Sequence, residues 1–170
     1  MNTSNYTLLI GAGYWGEKIL DKLFRLNKKI ALFDKDKKKY KKFKLKYKTE
    51  SIIYLKSFKD LKDLNFKSVI ISSPAQYHFS HINYFIKLKK NIFVEKPICL
   101  NKDELKKITK LLKNYKQVFM IGHIMFFHNS FKKILELNKN KYFGKILYLY
   151  STRLSFGKLR KHENILSSFA

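Results

Sequence analysis

Gly11-Ala12-Gly13-Tyr14-Trp15-Gly16 follows directly on the apolar run Tyr6-Thr7-Leu8-Leu9-Ile10, and this junction restricts the chain to few folds. Glycines at this spacing mark a strand that ends in a tight turn and opens a helix. Gly11 allows the turn, Gly13 lets the backbone come close to a ligand, and Gly16 lets helix and strand pack tightly. The helix start brings free N–H groups and the positive end of a dipole to the same place, which suits an anion. Asp34 closes the next apolar run, Ile30–Phe33, at about the ~20-residue distance expected of the acid in such a unit. The pattern predicts a bend that holds a dinucleotide pyrophosphate on the N–H groups near Tyr14 and Trp15.

Hydrophobic periodicity extends this first unit. Tyr6–Ile10 reads as a strand, residues 14–27 as a helix with Ile19, Leu20, Leu23 and Leu26 on one face, and Ile30–Phe33 as a second strand. Residues 35–48 are dense in lysine, but Tyr40, Phe43 and Tyr47 recur at helical spacing, so one side can pack while the lysines stay in water. A short strand over 52–55, a short helix over 58–64, a strand through Val69-Ile70-Ile71 and a helix over 77–90 follow. Ile92-Phe93-Val94 reads as a further strand. Asn101 and Glu104 form a capping-box pattern ahead of a helix with Leu105, Ile108, Leu111 and Leu112 as its stripe, and 118–121 is a last short strand. Alternating strands and helices predict an α/β fold, a doubly wound parallel sheet of the Rossmann type over residues 1–122. Ligands in such sheets sit beyond the C-terminal strand ends. Gly11–Gly16, Asp34, Ser72-Ser73-Pro74 and Glu95-Lys96-Pro97 all fall at such ends. After Gly122 the pattern changes. A helix over 129–138 and a long strand over 145–155 read as the incomplete start of a second α/β domain, 123–170, whose unpaired apolar strand predicts self-association.

Composition narrows the partners. The formal charge is +25, but only Arg25, Arg153 and Arg160 among the 37 basic residues are arginine. Readers of base sequence lean on arginine, so the excess reads as background lysine enrichment and no specific nucleic-acid partner is predicted. No run is apolar enough to span a bilayer, and the N-terminus lacks the form of a secretory signal. Cys99 is the only cysteine, so no internal disulfide can form. A cytoplasmic protein without a membrane partner is expected. No His, Cys, Asp and Glu set has metal-ligand spacing, so no metal is expected. Ser72 and Ser73 lack the Gly-x-Ser-x-Gly context of a hydrolase nucleophile.

Three motifs together resemble the Gfo/Idh/MocA family of NAD(P)-dependent sugar oxidoreductases: the glycine bend, Ser73-Pro74 with His78 four residues after the proline, and Val94-Glu95-Lys96-Pro97 after its strand. Gly122 to His128 is similar to the family's crossing into its substrate domain. The likeness is closest to members acting on nucleotide-linked sugars of the UDP-N-acetylglucosamine 3-dehydrogenase type. It implies hydride transfer between a sugar ring carbon and nicotinamide, a small-molecule sugar or nucleotide-sugar substrate, and a homo-oligomeric full-length form. It also implies a catalytic His just beyond Ala170, so the chain reads as truncated and its own activity is open.

The resemblance assigns roles by position. Lys96 is the expected catalytic acid–base residue, and both it and Glu95, the orienter of the nicotinamide ribose, count among the cofactor-binding residues. Asp34 accepts the adenosine ribose hydroxyls and favours NAD, while Lys35 or Lys37 at its side leaves NADP possible. Gly11, Gly13, Tyr14, Trp15, Gly16, Ser72, Ser73 and Pro74 complete the cofactor set. His78 is expected to shape the cofactor loop or cap its helix, and His123 and His128 either line the substrate cleft or serve structurally. The rivals are a dinucleotide-binding remnant without catalysis and a basic scaffold for nucleic acid or acidic partners.

Overall fold

The computed structural model describes residues 5–152. The chain divides into two units, Met1–Gly122 and His123–Ala170. The first contains six strands: β1 (Tyr6–Ile10), β2 (Ile30–Phe33), β3 (Ile52–Tyr54), β4 (Phe66–Ile71), β5 (Asn91–Val94) and β6 (Phe119–Ile121). They form one sheet in the order β3-β2-β1-β4-β5-β6, with every pair parallel. Four α-helices connect them: α1 (Tyr14–Arg25), α2 (Lys38–Tyr47), α3 (His78–Lys87) and α4 (Lys102–Leu112). This is the doubly wound order of a Rossmann sheet, and strand order reverses between β1 and β4.

Period-two alternation sorts the strand side chains onto two layers. On one face Leu8, Ile10, Val69, Ile71, Ile92 and Val94 pack with Ile82 and Phe85 of α3 and Ile108 of α4. On the other, Leu9, Ile30, Leu32 and Ile52 pack with Leu20 of α1 and with Phe43 and Tyr47 of α2. Helices therefore cover both faces, and the central strand β1 is buried through Leu8, Leu9 and Ile10.

Most predicted elements appear within a few residues of their expected bounds, with informative departures. The helix expected over 58–64 is a 3-10 turn, Phe58–Asp63, fixed by a capping box in which Ser57 accepts from Lys59 N–H and Asp60 accepts from Ser57 N–H. The lysine-rich helix starts only at Lys38, because Asp34 Oδ1 accepts from Asp36 N–H and turns the chain first. At α4, Asn101 Oδ1 accepts from Glu104 N–H as expected, but the Glu104 carboxylate takes Leu100 N–H, one residue earlier than a capping box requires.

The second unit begins with a 3-10 turn, Ile124–Phe127, and α5 (Asn129–Lys139). The strand predicted over 145–155 is not formed across 145–152, and its remainder lies outside the described residues. Gly144, with φ of +61°, closes a turn through its N–H to Lys141 O, and the residues after it make no ladder. A strand exists only where a neighbour takes its N–H and C=O groups. The apolar run here meets none among the described residues, and Leu147 and Tyr148 stand exposed.

Candidate cofactor-binding site

The bend after β1 sits where the strand order reverses. Gly11 has φ of +89°, and a Cβ there would lie 2.7 Å from the Ser72 and Ser73 backbone. A Cβ on Gly16 would come within 2.0 Å of Gly11 O. Both positions are closed to side chains by the protein itself. Gly13 differs: a Cβ there would meet nothing within 4 Å. The protein leaves room beside Gly13 at the N-terminus of α1, where Gly13 is the N-cap and no side chain caps the helix. An uncapped helix start beside open space suits a phosphate. Tyr14 and Trp15 stand exposed on the first turn, with Lys18 Nζ 4.4 Å and 4.9 Å from their ring centroids.

The loop after β4 holds the bend in place. Ser72 N–H donates to Ile10 O at 2.8 Å, and its hydroxyl donates to Gly11 O at 2.7 Å. The Ser72 hydroxyl thus acts on the protein's own backbone. The Ser73 hydroxyl pairs with His81 Nδ1 at 3.1 Å. The imidazole of His81 stacks on Phe58, and burial, followed by the nearby His78, pulls its pKa down to about 4. Pro74 starts the 3-10 turn that runs into α3.

His78 is buried at the start of α3. Its Nδ1 lies 2.7 Å from Pro97 O and its Nε2 lies 2.8 Å from Ser73 O. One ring nitrogen faces each carbonyl, and the tautomer decides which of them donates. The ring ties the loop after β4 to the loop after β5, which fixes the position of Glu95-Lys96-Pro97. Glu95 is half-buried against Gly122, and burial raises its pKa, opposed by the Lys96 N–H and by the charges of His78 and Lys96. Lys96 is exposed at the strand end, and the Lys96–Pro97 peptide is cis.

Asp34 is buried beneath the bend. Its Oδ2 accepts from Ala12 N–H at 2.6 Å and its Oδ1 from Asp36 N–H at 2.8 Å, and Lys39 Nζ bridges both oxygens at 3.1 Å and 3.2 Å. The sequence offers Lys35 and Lys37 as the lysines that could neutralise a 2′-phosphate beside this carboxylate. Lys37 donates to Asp34 O at 2.7 Å and Leu55 O at 3.1 Å, joining the ends of β2 and β3. Burial lowers its pKa. Lys39 is the residue the sequence did not single out. Its only local signal is its place at the start of a helix whose entry turn is set by Asp34 itself.

His123 and His128 belong to the second unit and are exposed. His128 caps α5, its Nδ1 accepting from Ser130 N–H at 3.3 Å, and His123 packs edge-on against Phe126. Among the described residues, no three His, Cys, Asp or Glu side chains gather as a metal site, and no helix is long and apolar enough to cross a membrane.

A six-stranded parallel sheet with a glycine bend at its switch point and an acid closing the second strand defines a dinucleotide-binding Rossmann domain. Residues 6–123 match the oxidoreductase family with an NAD-binding Rossmann fold known as Gfo/Idh/MocA, and the chain belongs to that family. A 2,7-anhydro-N-acetylneuraminate hydratase of Escherichia coli is 34% identical over 85 residues, which are 50% of this chain and 23% of that protein. The crystal structure of myo-inositol 2-dehydrogenase from Lactobacillus plantarum superposes with a TM-score of 0.74 at 24% identity, over 86% of this chain and 44% of that one. UDP-N-acetylglucosamine 3-dehydrogenase from Acidithiobacillus ferrooxidans gives 0.66 at 20% identity, over 77% and 41%. The nucleotide-sugar enzyme is thus one of several such neighbours, beside inositol dehydrogenases. The chain spans less than half the length of these relatives.

Proposed function

We infer that this chain forms the cofactor-binding part of a nicotinamide-dependent oxidoreductase acting on a ring carbon of a sugar, nucleotide sugar or cyclic polyol. The observation that carries this reading is the convergence of the open Gly13 bend and the Glu95-Lys96-Pro97 loop at one edge of the sheet, with the loop after β4 clasped to the bend by Ser72 and tied to Pro97 by His78. The bound nicotinamide would supply the redox chemistry by exchanging hydride with the substrate carbon. The chain's residues would do the rest. The N–H groups of the first turn of α1 would bind pyrophosphate, and Asp34 by itself would favour a free 2′-hydroxyl, hence NAD. Glu95 would orient the nicotinamide ribose. Lys96 would take and return the hydroxyl proton of the substrate, a step that asks for a group on a fixed loop facing the cofactor. Lys96 is exposed on the protein side, so cofactor and substrate would supply its dry surroundings. We place the first unit as the cofactor domain and the second as the start of a substrate domain, with His123 and His128 as substrate-facing candidates. Assembly as a homo-oligomer in the cytoplasm belongs to the same reading.

Trp15 is the chain's only tryptophan and stands at the bend. Titration with NAD should therefore quench or shift its fluorescence. Formation of NADH with myo-inositol or UDP-N-acetylglucosamine then tests the chemistry. Lys96→Met should leave binding intact and reduce turnover by about 10²–10⁴-fold. No fluorescence response to either NAD or NADP refutes the cofactor reading. Binding without turnover on any cyclic polyol or sugar supports the non-catalytic remnant instead.

A further inference from the structure

The ribose end of the cleft holds a cation whose position changes what Asp34 can select. A carboxylate offers about four acceptor positions. The N–H groups of Ala12 and Asp36 take one on each oxygen of Asp34, and both belong to backbone against which the side chain is buried. Lys39 Nζ forks across the positions that remain, on a flexible stem whose side chain is 34% exposed. A ribose diol reaching Asp34 must therefore displace Lys39, exchanging an ammonium for two neutral hydroxyls at a buried anion. A 2′-phosphate needs no displacement. Two of the three ammonium hydrogens serve the fork and the third is available to a phosphate oxygen. The pair Asp34–Lys39 is neutral overall, so the repulsion by which a bare carboxylate rejects a 2′-phosphate is cancelled at its source.

We propose that Lys39, seated on Asp34, makes this end of the cleft a subsite for an adenosine 2′-phosphate, so that the chain takes NADP at least as tightly as NAD. This rests on the reading that the bend binds a nicotinamide dinucleotide. Lys39 is the specificity residue. Lys35 stands exposed, and Lys37 is committed to the strand ends.

The test is a pair of binding titrations, NAD and NADP, followed through Trp15 fluorescence at fixed ionic strength. The unmodified chain should bind NADP with a Kd no higher than that for NAD. Lys39→Met should raise the NADP Kd by about tenfold or more and leave the NAD Kd unchanged or lower, because the diol no longer competes with an ammonium. Lys39→Arg should keep the NADP affinity. Lys41→Met removes the same charge from an exposed position of α2 and should weaken either cofactor only slightly, through the screened long-range field. The proposal is overturned if the unmodified chain prefers NAD by about tenfold or more, a ratio that needs no variant. It is equally overturned if Lys39→Met moves both affinities by one factor. Binding of neither dinucleotide removes the underlying cofactor reading as well, a separate result. Unfolding midpoints matched to the parent chain confirm that each variant is folded.

Discussion

Gly13 and Gly16 lie in one turn but should fail in opposite ways when each is replaced by alanine. At Gly16 the added carbon would sit 2.0 Å from Gly11 O, a backbone atom held by Ser72. Ordinary contact needs well over 3 Å, so α1 must retreat from β1 by more than an ångström, against a closely packed core. Overpacking of this kind costs about 1–3 kcal/mol, and contact with fixed backbone puts Gly16→Ala at the upper end. For a unit of this size that lowers the unfolding midpoint by about 10 °C. At Gly13 the carbon meets nothing within 4 Å, and φ of −73° with ψ of −162° is open to alanine. Alanine is a poorer N-cap than glycine but restricts the unfolded chain, and the two effects, each about 0.5–1 kcal/mol, nearly cancel. Gly13→Ala should therefore unfold within a few degrees of the parent chain, by about 3 °C or less. The methyl group would nonetheless stand where a pyrophosphate approaches the backbone, and NAD affinity should fall by about tenfold or more. Thermal unfolding by circular dichroism and NAD titration by Trp15 fluorescence give both quantities. Equal loss of stability in the two variants, or unchanged NAD affinity in Gly13→Ala, would refute the assignment of one glycine to packing and the other to ligand.

Replacing His78 by alanine strands two part-buried carbonyls, those of Ser73 and Pro97, and opens a small void. A loss of about 2–4 kcal/mol in urea unfolding is expected, and a loss below about 0.5 kcal/mol would show that the ring does not join the loops. His81 makes stability depend on pH. Its pKa falls from 6.5 in the unfolded chain to about 4 in the fold, first through burial and then through the charge of His78. The unfolded state then binds the extra proton between those values, so stability rises with pH through that window and is lost as pH falls from about 6.5 towards 4. The residual exposure of the ring trims the full shift to about 2 kcal/mol. Urea unfolding of the parent chain and of His81→Asn at pH values across this range should diverge by that amount, and parallel curves would contradict the account.

Sequence carried the site further than it carried its wiring. β1 and β2 have the expected bounds because an apolar run stopped by glycine or aspartate has few other ways to fold. The glycine bend and the other three segments at strand ends follow from parallel topology once the alternation is recognised. The identity of the lysine at Asp34 was not legible. Residues 35–39 hold four lysines, and which one folds back depends on the turn made when Asp34 Oδ1 takes Asp36 N–H. The Ser72–Gly11 clasp and the two bonds of His78 join residues far apart in sequence, and no local pattern encodes such a meeting. The strand expected after Gly144 failed for the complementary reason. Alternating or continuous apolar character describes a side-chain surface, whereas a strand also needs a neighbour for its backbone, and that neighbour is not written in the segment itself.

The clasp between Ser72 and the first turn has a consequence for synthesis on the ribosome. Gly11 emerges early, but the hydroxyl that pins its carbonyl is supplied 61 residues later. β1 likewise acquires β2 as one neighbour early and β4 as the other only after more than fifty further residues. During that interval the nascent segment can form its first helix but not the finished cradle beside it. Competence to hold a nucleotide would arrive abruptly, when β4 slots in and its trailing serine closes over the bend.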